Sequence, residues 1–553
     1  MADNNSTSGK YATSFRQQFT LRGMIIGAIG SVILTCSSMF VALKASSVPW
    51  PIMFVALVSM FGLKALGHTN YNEINVTHTA MSAGAMVAGG LAFTIPGIYM
   101  LDPAADLDFA KLLVITVGGV LLGLIFTAIL RKHFIEKANL PYAMGQAAAE
   151  VVIVGDEGGK KSAWLFGSLG LSGVFTWLRD WGIAGHRIPA MLSSEYITAT
   201  YGSQFAIWLS PMLISIGYIV GPLFIGVWFL GALIGDGLIL IGGQASGILD
   251  AGSASAIKSS LGLGLMVGCG AGIFIKEIIP RAKSLIIPMF SRKSAGDCIV
   301  PMRWAPVVAI VLAGLFVFVL DMPILAAIVT ILGCWLATAM SCQCVGLSGI
   351  NPMEIFGILI LLIARAVSGV SGTEAFYVAA IVAVAAGLTG DVMNDFRSGY
   401  ILHSDPKAQW FGELIGGIIG AVVSVGVLMI IVTAYGGEVF GSDMFPAAQA
   451  SAVAGMVGGI SNVPVFVFGI IAAAIMYIIG LPVTTLGLGV YLPFYMSATA
   501  FIGGALNFIL SKAAPGVRER GNDTVVAAGM LGGEGVIGVV IALITAIQVI
   551  QAG

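Results

Sequence analysis

Two carboxylates, an amide and an arginine lie close together at the end of a long apolar stretch, between Gly387 and Trp410. These residues are Asp391, Asn394, Asp395 and Arg397. An ionisable side chain at the centre of a bilayer costs roughly 2.5 to 3.5 kcal/mol, so these groups are expected to face protein or water and not lipid. The pattern predicts a pathway for a polar solute, in which Asp391 and Asp395 bind substrate and carry protons.

The composition is that of a polytopic membrane protein. Of the 553 residues, 58% are hydrophobic and 10% are charged, and the mean hydropathy is +0.98, whereas a soluble domain has about 25% charged residues. The net charge of −1 and the absence of long lysine and arginine runs argue against a nucleic-acid partner. The lipid bilayer is therefore the predicted surrounding, and no separate soluble domain is expected.

Apolar runs predict an all-α fold of about 16 transmembrane helices. The predicted helices cover residues 22–44, 48–67, 75–101, 109–133, 160–178, 203–221, 222–245, 257–280, 304–320, 323–345, 350–369, 372–393, 408–435, 447–480, 482–510 and 524–550. Segments 139–154 and 394–404 are short and polar, and they are predicted to be re-entrant or broken pieces.

Charge and length suggest the organisation of the chain. Residues 1–20 are predicted to be a disordered cytoplasmic tail, 21–290 the first transmembrane half, 291–303 a basic cytoplasmic linker and 304–553 the second half. Basic residues cluster near Arg16 and Arg22 and again in the linker, so the positive-inside rule predicts a cytoplasmic N-terminus.

The two halves share a coarse pattern. Pro211 and Pro222 have the same spacing as Pro482 and Pro493. Gly264, Gly268 and Gly270 match Gly529, Gly533 and Gly535, and Glu150 with Trp164 parallels Asp395 with Trp410. The pattern predicts a duplication with an even number of helices per half, which makes the repeats parallel, and inverted sub-repeats inside each half are left open. In duplicated transporters the substrate lies between the halves, so the site is expected between the two interrupted segments.

Further polar residues within apolar segments extend the candidate site. Gln146 and Glu150 share one helix face in the first interrupted segment, where both are predicted to bind substrate and Glu150 to carry a proton; a solvated helix end is the alternative for Glu150. Ser348 and Asn351 flank a helix break at Pro352, which is either a binding point or a packing kink. Glu534, among glycines in the last helix, is predicted to help in proton coupling. A gate or relay at Glu73 or His78 is a further alternative.

Catalytic motifs are absent from the sequence. There is no phosphate-binding Gly-x-x-x-x-Gly-Lys-Ser/Thr loop and no His-Glu-x-x-His zinc motif. Gly390-Asp391 is similar to the Gly-Asp of intramembrane aspartyl proteases, but the glycine at 387 is misplaced by one residue and no Tyr-Asp partner occurs. The chain is therefore not expected to be an enzyme, and neither a cofactor nor a metal ion is predicted.

Several of these motifs together resemble the oligopeptide transporter (OPT) family, which includes the yellow-stripe-like transporters. The matching segments include Leu140-Pro141-Tyr142 through Glu150, Gly349 to Pro352, Gly390-Asp391 through Asp395-Phe396-Arg397, Tyr491-Leu492-Pro493 and Gly532-Gly533-Glu534-Gly535. The resemblance implies a prokaryotic-type, proton-coupled importer of small peptides, peptide-like thiols or metal chelates. It also adds Tyr491 to the substrate-binding residues. Because His403-Ser404-Asp405 departs from the family pattern, the substrate is not inherited from the resemblance.

These observations together predict a secondary transporter of the plasma membrane, or of the inner membrane if the source is bacterial. Protons and a peptide or metal chelate are its predicted partners, and a homo-oligomer is left open. An uncoupled channel or facilitator is the alternative, because it needs the same polar pathway. An intramembrane protease is the less favoured second alternative.

Overall fold

The computed structural model describes residues 10–45, 48, 51–157, 159–183, 186–273, 275–276, 279–281, 299, 304–442, 445–457, 460–513 and 522–552. The first nine residues and, apart from Ile299, the linker predicted at 291–303 lie outside these residues. The described chain is almost entirely helical, with one two-stranded hairpin, so the all-α polytopic prediction is confirmed at that level.

The first half contains thirteen of the helices described. They are α1 Phe15–Gln18, α2 Leu21–Ala45, α3 Ile52–Ala65, α4 Tyr71–Ala92, α5 Pro96–Leu101, α6 Phe109–Arg131, α7 Ala143–Glu157, α8 Gly159–Asp180, α9 Glu195–Tyr201, α10 Pro211–Val220, α11 Pro222–Ala232, α12 Gly243–Ala245 and α13 Ala251–Ile273. Strands β1 Met191–Ser193 and β2 Ala206–Trp208 pair antiparallel, Leu192 opposite Ile207, on either side of α9. Two π-helical stretches, Lys132–Lys137 and Leu233–Gly242, extend α6 and α11.

The second half contributes ten helices to the described residues. They are α14 Ala305–Phe318, α15 Ile324–Ser348, α16 Met353–Ser368, α17 Gly372–Ile401, α18 Pro406–Tyr435, α19 Ala448–Met456, α20 Val463–Ile478, α21 Val483–Tyr491, α22 Phe494–Ala513 and α23 Asn522–Ala552. Several helices begin at a capping side chain. Asp405, for example, caps α18 by accepting a hydrogen bond from the Lys407 N–H, and Pro406 occupies the first helical position.

Nine helical stretches among the described residues are long and apolar enough to cross a membrane. Two of them form the centre of the bundle, since the most apolar windows of Tyr71–Leu101 and Gly372–Ile401 are 89% and 100% buried. The other seven stretches in the described residues have windows that are 39% to 72% buried and so keep exposed faces. The prediction of about sixteen transmembrane helices remains a prediction.

Three sequence expectations are wrong in the described chain. Residues 394–401 are not a broken piece, because α17 runs without interruption to Ile401 and its polar residues are buried against neighbouring helices. Residues 206–208 form strand β2 and not the start of a helix, which begins only at Pro211 behind the Ser210 cap. Residues 10–20 of the expected disordered tail are ordered: they contain α1, and the Gln18 side chain is buried.

Glycines allow several helices to cross at backbone contact. The carbonyl of Phe466 on α20 occupies the space that a side chain at Gly264 on α13 would fill. In the same way, the carbonyl of Leu165 on α8 occupies the space beside Gly529 on α23. These close crossings bring helices from the two halves together, as is usual where small residues line membrane helix interfaces.

Candidate functional site

The central helices α4 and α17 run antiparallel and are joined by a row of side-chain hydrogen bonds. Asn72 donates to the carbonyl of Leu402 at 2.8 Å, and Asn75 donates to Ser398 Oγ at 2.7 Å. Deeper in the bundle, His78 Nε2 lies 3.3 Å from Asp395 Oδ1. We call this row of contacts between Asn72 and Asp395 the polar seam. It leads from one end of the helix pair to Asp391 and Asp395 of α17.

Three carboxylates meet at the inner end of the polar seam. Asp391 and Asp395 are one helical turn apart on α17, and Glu413 reaches them from α18. One oxygen from each lies within 4.8 Å of the others, and none of the three residues is exposed to solvent. We call these three residues the acid cluster. Helix α18 comes close because Gly416 meets the carbonyl of Ala80 on α4.

Most oxygens of the acid cluster lack a hydrogen-bond donor in the described part of the chain. Both oxygens of Asp391, both of Glu413 and Oδ1 of Asp395 are unpartnered. Asp395 Oδ2 accepts a hydrogen bond from Ser82 at 3.0 Å, and the His78 imidazole lies beside Oδ1. Three buried carboxylates at this spacing cannot all keep negative charge unless protons or a bound cation neutralise them. Their oxygens are close enough together to hold one small cation.

Asn394, which the sequence grouped with the two aspartates, points to a different neighbour. Its Oδ1 accepts a hydrogen bond from the Gly145 N–H at 3.1 Å, and its Nδ2 donates to the carbonyl of Gly390. Gln146 on α7 donates to the carbonyl of Pro141 at 2.7 Å. Residues 143–157 form a short helix whose start packs against α17 through Gly145 and Asn394. The residues predicted at 146 and 150 are thus carried by α7, with Glu150 only half-buried.

The helix break at Pro352 is tied to α17 just before the acid cluster. Asn351 Nδ2 donates to the carbonyls of Ala386 at 2.7 Å and Gly387 at 3.3 Å. Ser348 donates to the carbonyl of Cys344, one turn earlier in its own helix. Both side chains therefore satisfy backbone carbonyls near the break, and Asn351 links α15 and α16 to the carbonyls one turn before Asp391.

Glu534 lies in a separate buried network. Its carboxylate is 2.9 Å from Arg179 Nη2, and it accepts hydrogen bonds from Ser210 Oγ and from the Met212 N–H at 2.7 Å. The network joins α23 to α8 and to the start of α10. Tyr491 ends α21, where its backbone packs against Gly262 of α13. The structure brings neither residue into the acid cluster.

Sequence reasoning missed Glu413, Ser82 and Gln409. Glu413 is a lone carboxylate in a 30-residue apolar helix, the same signal that identified Asp391, and it could have been found on that basis. Ser82 carries no such signal, because small residues are common at membrane helix interfaces, and Gln409 lies at the start of the predicted helix 408–435, where a polar side chain is ordinary. Gln409 donates to the carbonyl of Asp395 at 2.5 Å.

Comparison with known proteins gives the chain its family. The family model described as OPT oligopeptide transporter protein matches residues 18–273 and 282–545. The chain belongs to the OPT family. A Haemophilus influenzae (strain Rd) protein whose description reads "Putative oligopeptide transporter" is 26% identical, with the alignment covering 92% of each chain. The resemblance seen in the sequence motifs is thereby confirmed, and the OPT family is a family of transporters and not of enzymes.

Proposed function

We propose that this OPT family member is a proton-coupled secondary transporter that imports small peptides by alternating access. The observation that carries the proposal is the acid cluster, three fully buried carboxylates with almost no counter-charge between the most buried helices of the bundle. Protons are the simplest neutralising species, because a carboxylate that binds a proton becomes neutral without any reorganisation of the helices. Asp391, Asp395 and Glu413 are the proposed proton carriers. Glu150 and Glu534 stay predictions in this role.

Matched glycine contacts support two structural repeats. Gly264 against Phe466 and Gly268 against Ile470, between α13 and α20, recur as Gly529 against Leu165 and Gly533 against Leu169, between α23 and α8. Gly416 against Ala80, between α18 and α4, likewise recurs as Gly119 against Ile381, between α6 and α17. These correspondences pair α4 with α17, α6 with α18, α8 with α20 and α13 with α23. They differ from the pairing of Glu150 with Asp395 suggested by the sequence.

The direction of the central helices favours inverted repeats and not the parallel repeats predicted from the sequence. His78 near the start of α4 lies beside Asp395 near the end of α17, and Gly90 near the end of α4 packs against Val384. Paired helices that run antiparallel are related by an axis in the membrane plane. Inverted repeats that exchange their conformations open a central site first to one side and then to the other.

The substrate and the orientation are part of the same proposal. A small peptide is favoured by the family and by the printed description of the Haemophilus influenzae relative, and peptide-like thiols and metal chelates are further candidates. The basic residues near the N-terminus favour a cytoplasmic location for that end in a plasma membrane. Substrate contacts are proposed for Gln146, Ser348, Asn351, Asn394 and Tyr491.

Uptake into proteoliposomes tests the proposal. Purified protein is reconstituted, and accumulation of a radiolabelled tripeptide is followed with an inwardly directed proton gradient, without a gradient, and with an uncoupler. We expect accumulation above the external concentration only with the gradient, and its loss with the uncoupler. Equilibration of the peptide that does not depend on the proton gradient would identify a channel or facilitator. Accumulation that depends on a sodium or other metal-ion gradient would identify that ion, and not the proton, as the coupling ion. When variants of the acid cluster are tested in the same assay, Asp321→Asn, which removes an exposed ion pair with Lys111, is the matched control.

A further inference from the structure

The polar seam continues outward from the acid cluster to the end of the helix pair. From inside to outside its side-chain contacts are Ser82 with Asp395, His78 with Asp395, Asn75 with Ser398, and Asn72 with Ser404 at 3.1 Å. The α4 residues recur at helical spacing along one face, so the row is continuous over more than two turns. Within this row His78 and Asp395 can exchange a proton directly, and the amides and hydroxyls can hold waters that carry the proton past them.

The outer end of the polar seam is covered by residues 10–20, which we call the N-terminal strap. The Ala12 N–H donates to Asn72 Oδ1 at 2.7 Å, so the same asparagine binds both the strap and the loop after α17. Gln18 Nε2 donates to the carbonyl of Ala12 at 3.0 Å, and Gln18 Oε1 accepts from the Asp405 N–H at 2.7 Å. The Tyr11 ring lies 5.1 Å from the Tyr71 ring. The strap thus contacts the start of α4 and the loop between α17 and α18.

Charged contacts fix the start of the strap. Lys10 Nζ lies 3.0 Å from Asp156 Oδ2 at the end of α7, and Lys64 Nζ lies 2.7 Å from the other oxygen of that carboxylate. A second ion pair beside the strap joins Arg22 to Glu73 at 2.7 Å. The lysine contacts are partly exposed, with Asp156 at 22% and Lys10 at 36% exposure. Such pairs are individually weak and can open without unfolding the bundle.

We propose that protons pass between the acid cluster and water along the polar seam, and that the N-terminal strap closes its mouth in this conformation. The inference rests on the proposed function for its physiological meaning. With the N-terminus in the cytoplasm, the strap closes the route by which an imported proton leaves. The titratable groups facing this route are His78, Asp395 and Asp391 inside it, with Glu413 from α18. At the mouth they are Lys10, Asp156, Lys64, Tyr71, Glu73 and His403.

Water access to Ser398 tests the closure directly. Ser398→Cys is a near-isosteric change in the middle of the polar seam, where the serine is fully buried. The reaction of this cysteine with a small methanethiosulfonate reagent is measured by peptide mass spectrometry in detergent-purified full-length protein. The strap is loosened by Lys10→Ala combined with Gln18→Ala. Ser424→Cys, at another fully buried serine, which lies on α18 and bonds to the Ala421 carbonyl, is the control position.

We expect the Ser398→Cys reaction to be slow with the intact strap and about tenfold faster with the loosened strap, because the strap contacts hold the closed state. The Ser424→Cys reaction should stay slow in both proteins. Equal rates at Ser398→Cys in the two proteins would overturn the strap as the closing element, and a parallel rise at Ser424→Cys would indicate general loosening and overturn it as well. Labelling needs no transport, so the two proposals can fail separately. If proton-coupled uptake is absent but the labelling rate at Ser398→Cys still depends on the strap, the proposed function is rejected and the closure by the strap is kept.

Discussion

His78 and Asp395 lie 3.3 Å apart, Nε2 to Oδ1, with neither side chain exposed to solvent. The pair joins the two most buried helices of the bundle at the entrance to the acid cluster. Asn75 Nδ2 also approaches His78 Nε2, at 3.2 Å. Because an amide nitrogen only donates, the tautomer of the imidazole decides whether this nitrogen accepts from Asn75 or donates to Asp395. The geometry thus makes Asn75 and Asp395 alternative partners of one imidazole nitrogen.

Replacing a carboxylate of the acid cluster should separate substrate movement from proton coupling. In Asp391→Asn and Glu413→Gln, the neutral amide mimics a permanently protonated carboxyl, so gradient-driven peptide accumulation should be lost while peptide exchange between the two sides is partly kept. The measurement compares accumulation with counterflow in the same proteoliposomes. Asp321→Asn should keep both activities. Full accumulation by both variants would remove the acid cluster from the coupling mechanism.

Breaking the buried ion pair of Glu534 should destabilise the protein. In Glu534→Gln, Arg179 keeps its charge and its ion pair with Asp180, so the loss should lie near the lower end of the about 3 to 5 kcal/mol that removal of one partner of a buried pair costs. The thermal midpoint of the detergent-solubilised variant should fall well below that of the wild type. Arg179→Gln combined with Glu534→Gln should recover part of the loss. A variant with unchanged stability that exchanges peptide but no longer accumulates it would instead return Glu534 to proton coupling.

Asn351→Ala should weaken both stability and substrate binding. The change leaves the carbonyls of Ala386 and Gly387 and the Ser341 hydroxyl with one partner fewer, which costs roughly 1 to 3 kcal/mol. Ser368→Ala, at the other end of α16, removes a bond within one helix and should cost less. Thermal midpoints and peptide affinities are compared at a temperature where both variants are folded. Normal affinity in an unstable Asn351→Ala protein would assign this residue to the fold alone.

Matched glycine substitutions test the inverted repeats. Gly264→Ala and Gly529→Ala each place a methyl group against a backbone carbonyl, at Phe466 and Leu165 respectively, and should lower stability by a similar amount, about 1 to 3 kcal/mol. Gly170→Ala on α8 meets no neighbouring atom within 4 Å and should be neutral or slightly stabilising, because alanine favours the helix. Stability is measured by thermal unfolding of the purified proteins. A large effect at only one member of the pair would argue against equivalent crossings.

The Lys10 contact should respond to acid through Asp156. Partial burial raises the pKa of Asp156, but hydrogen bonds from Lys64, Lys10 and Tyr71 outweigh it and lower the pKa to about 2. A lowered pKa in the folded state stabilises the protein above the ordinary pKa of aspartate, and that contribution disappears as the pH falls through the folded value. The difference in thermal midpoint between wild type and Asp156→Asn should therefore be constant from pH 8 to pH 5 and shrink below about pH 4. A difference that grows on acidification would contradict this assignment.

The sequence by itself determined the class of the protein and several of its chemical groups. A long chain with few charges can fold only in a membrane, where helices satisfy their own backbone hydrogen bonds, and an isolated carboxylate in an apolar run must find protein partners. Asp391 and Asp395 therefore stood out, and the motifs around them identified the family. Glu413 could have been found on the same principle.

Tertiary structure alone decided which of these groups meet. Asn394 is one residue from Asp395 but faces α7, and Glu534 is paired with Arg179 from a helix that is distant in sequence, because helix rotation and crossing angle select the partners of each side chain. The continuous course of α17 also escaped sequence analysis. Its polar residues looked like a break, yet burial against α4 and α18 supplies the partners that keep the helix intact. Close packing at glycines such as Gly90 also holds α4 antiparallel to α17. No local sequence pattern specifies which helix such a glycine will meet.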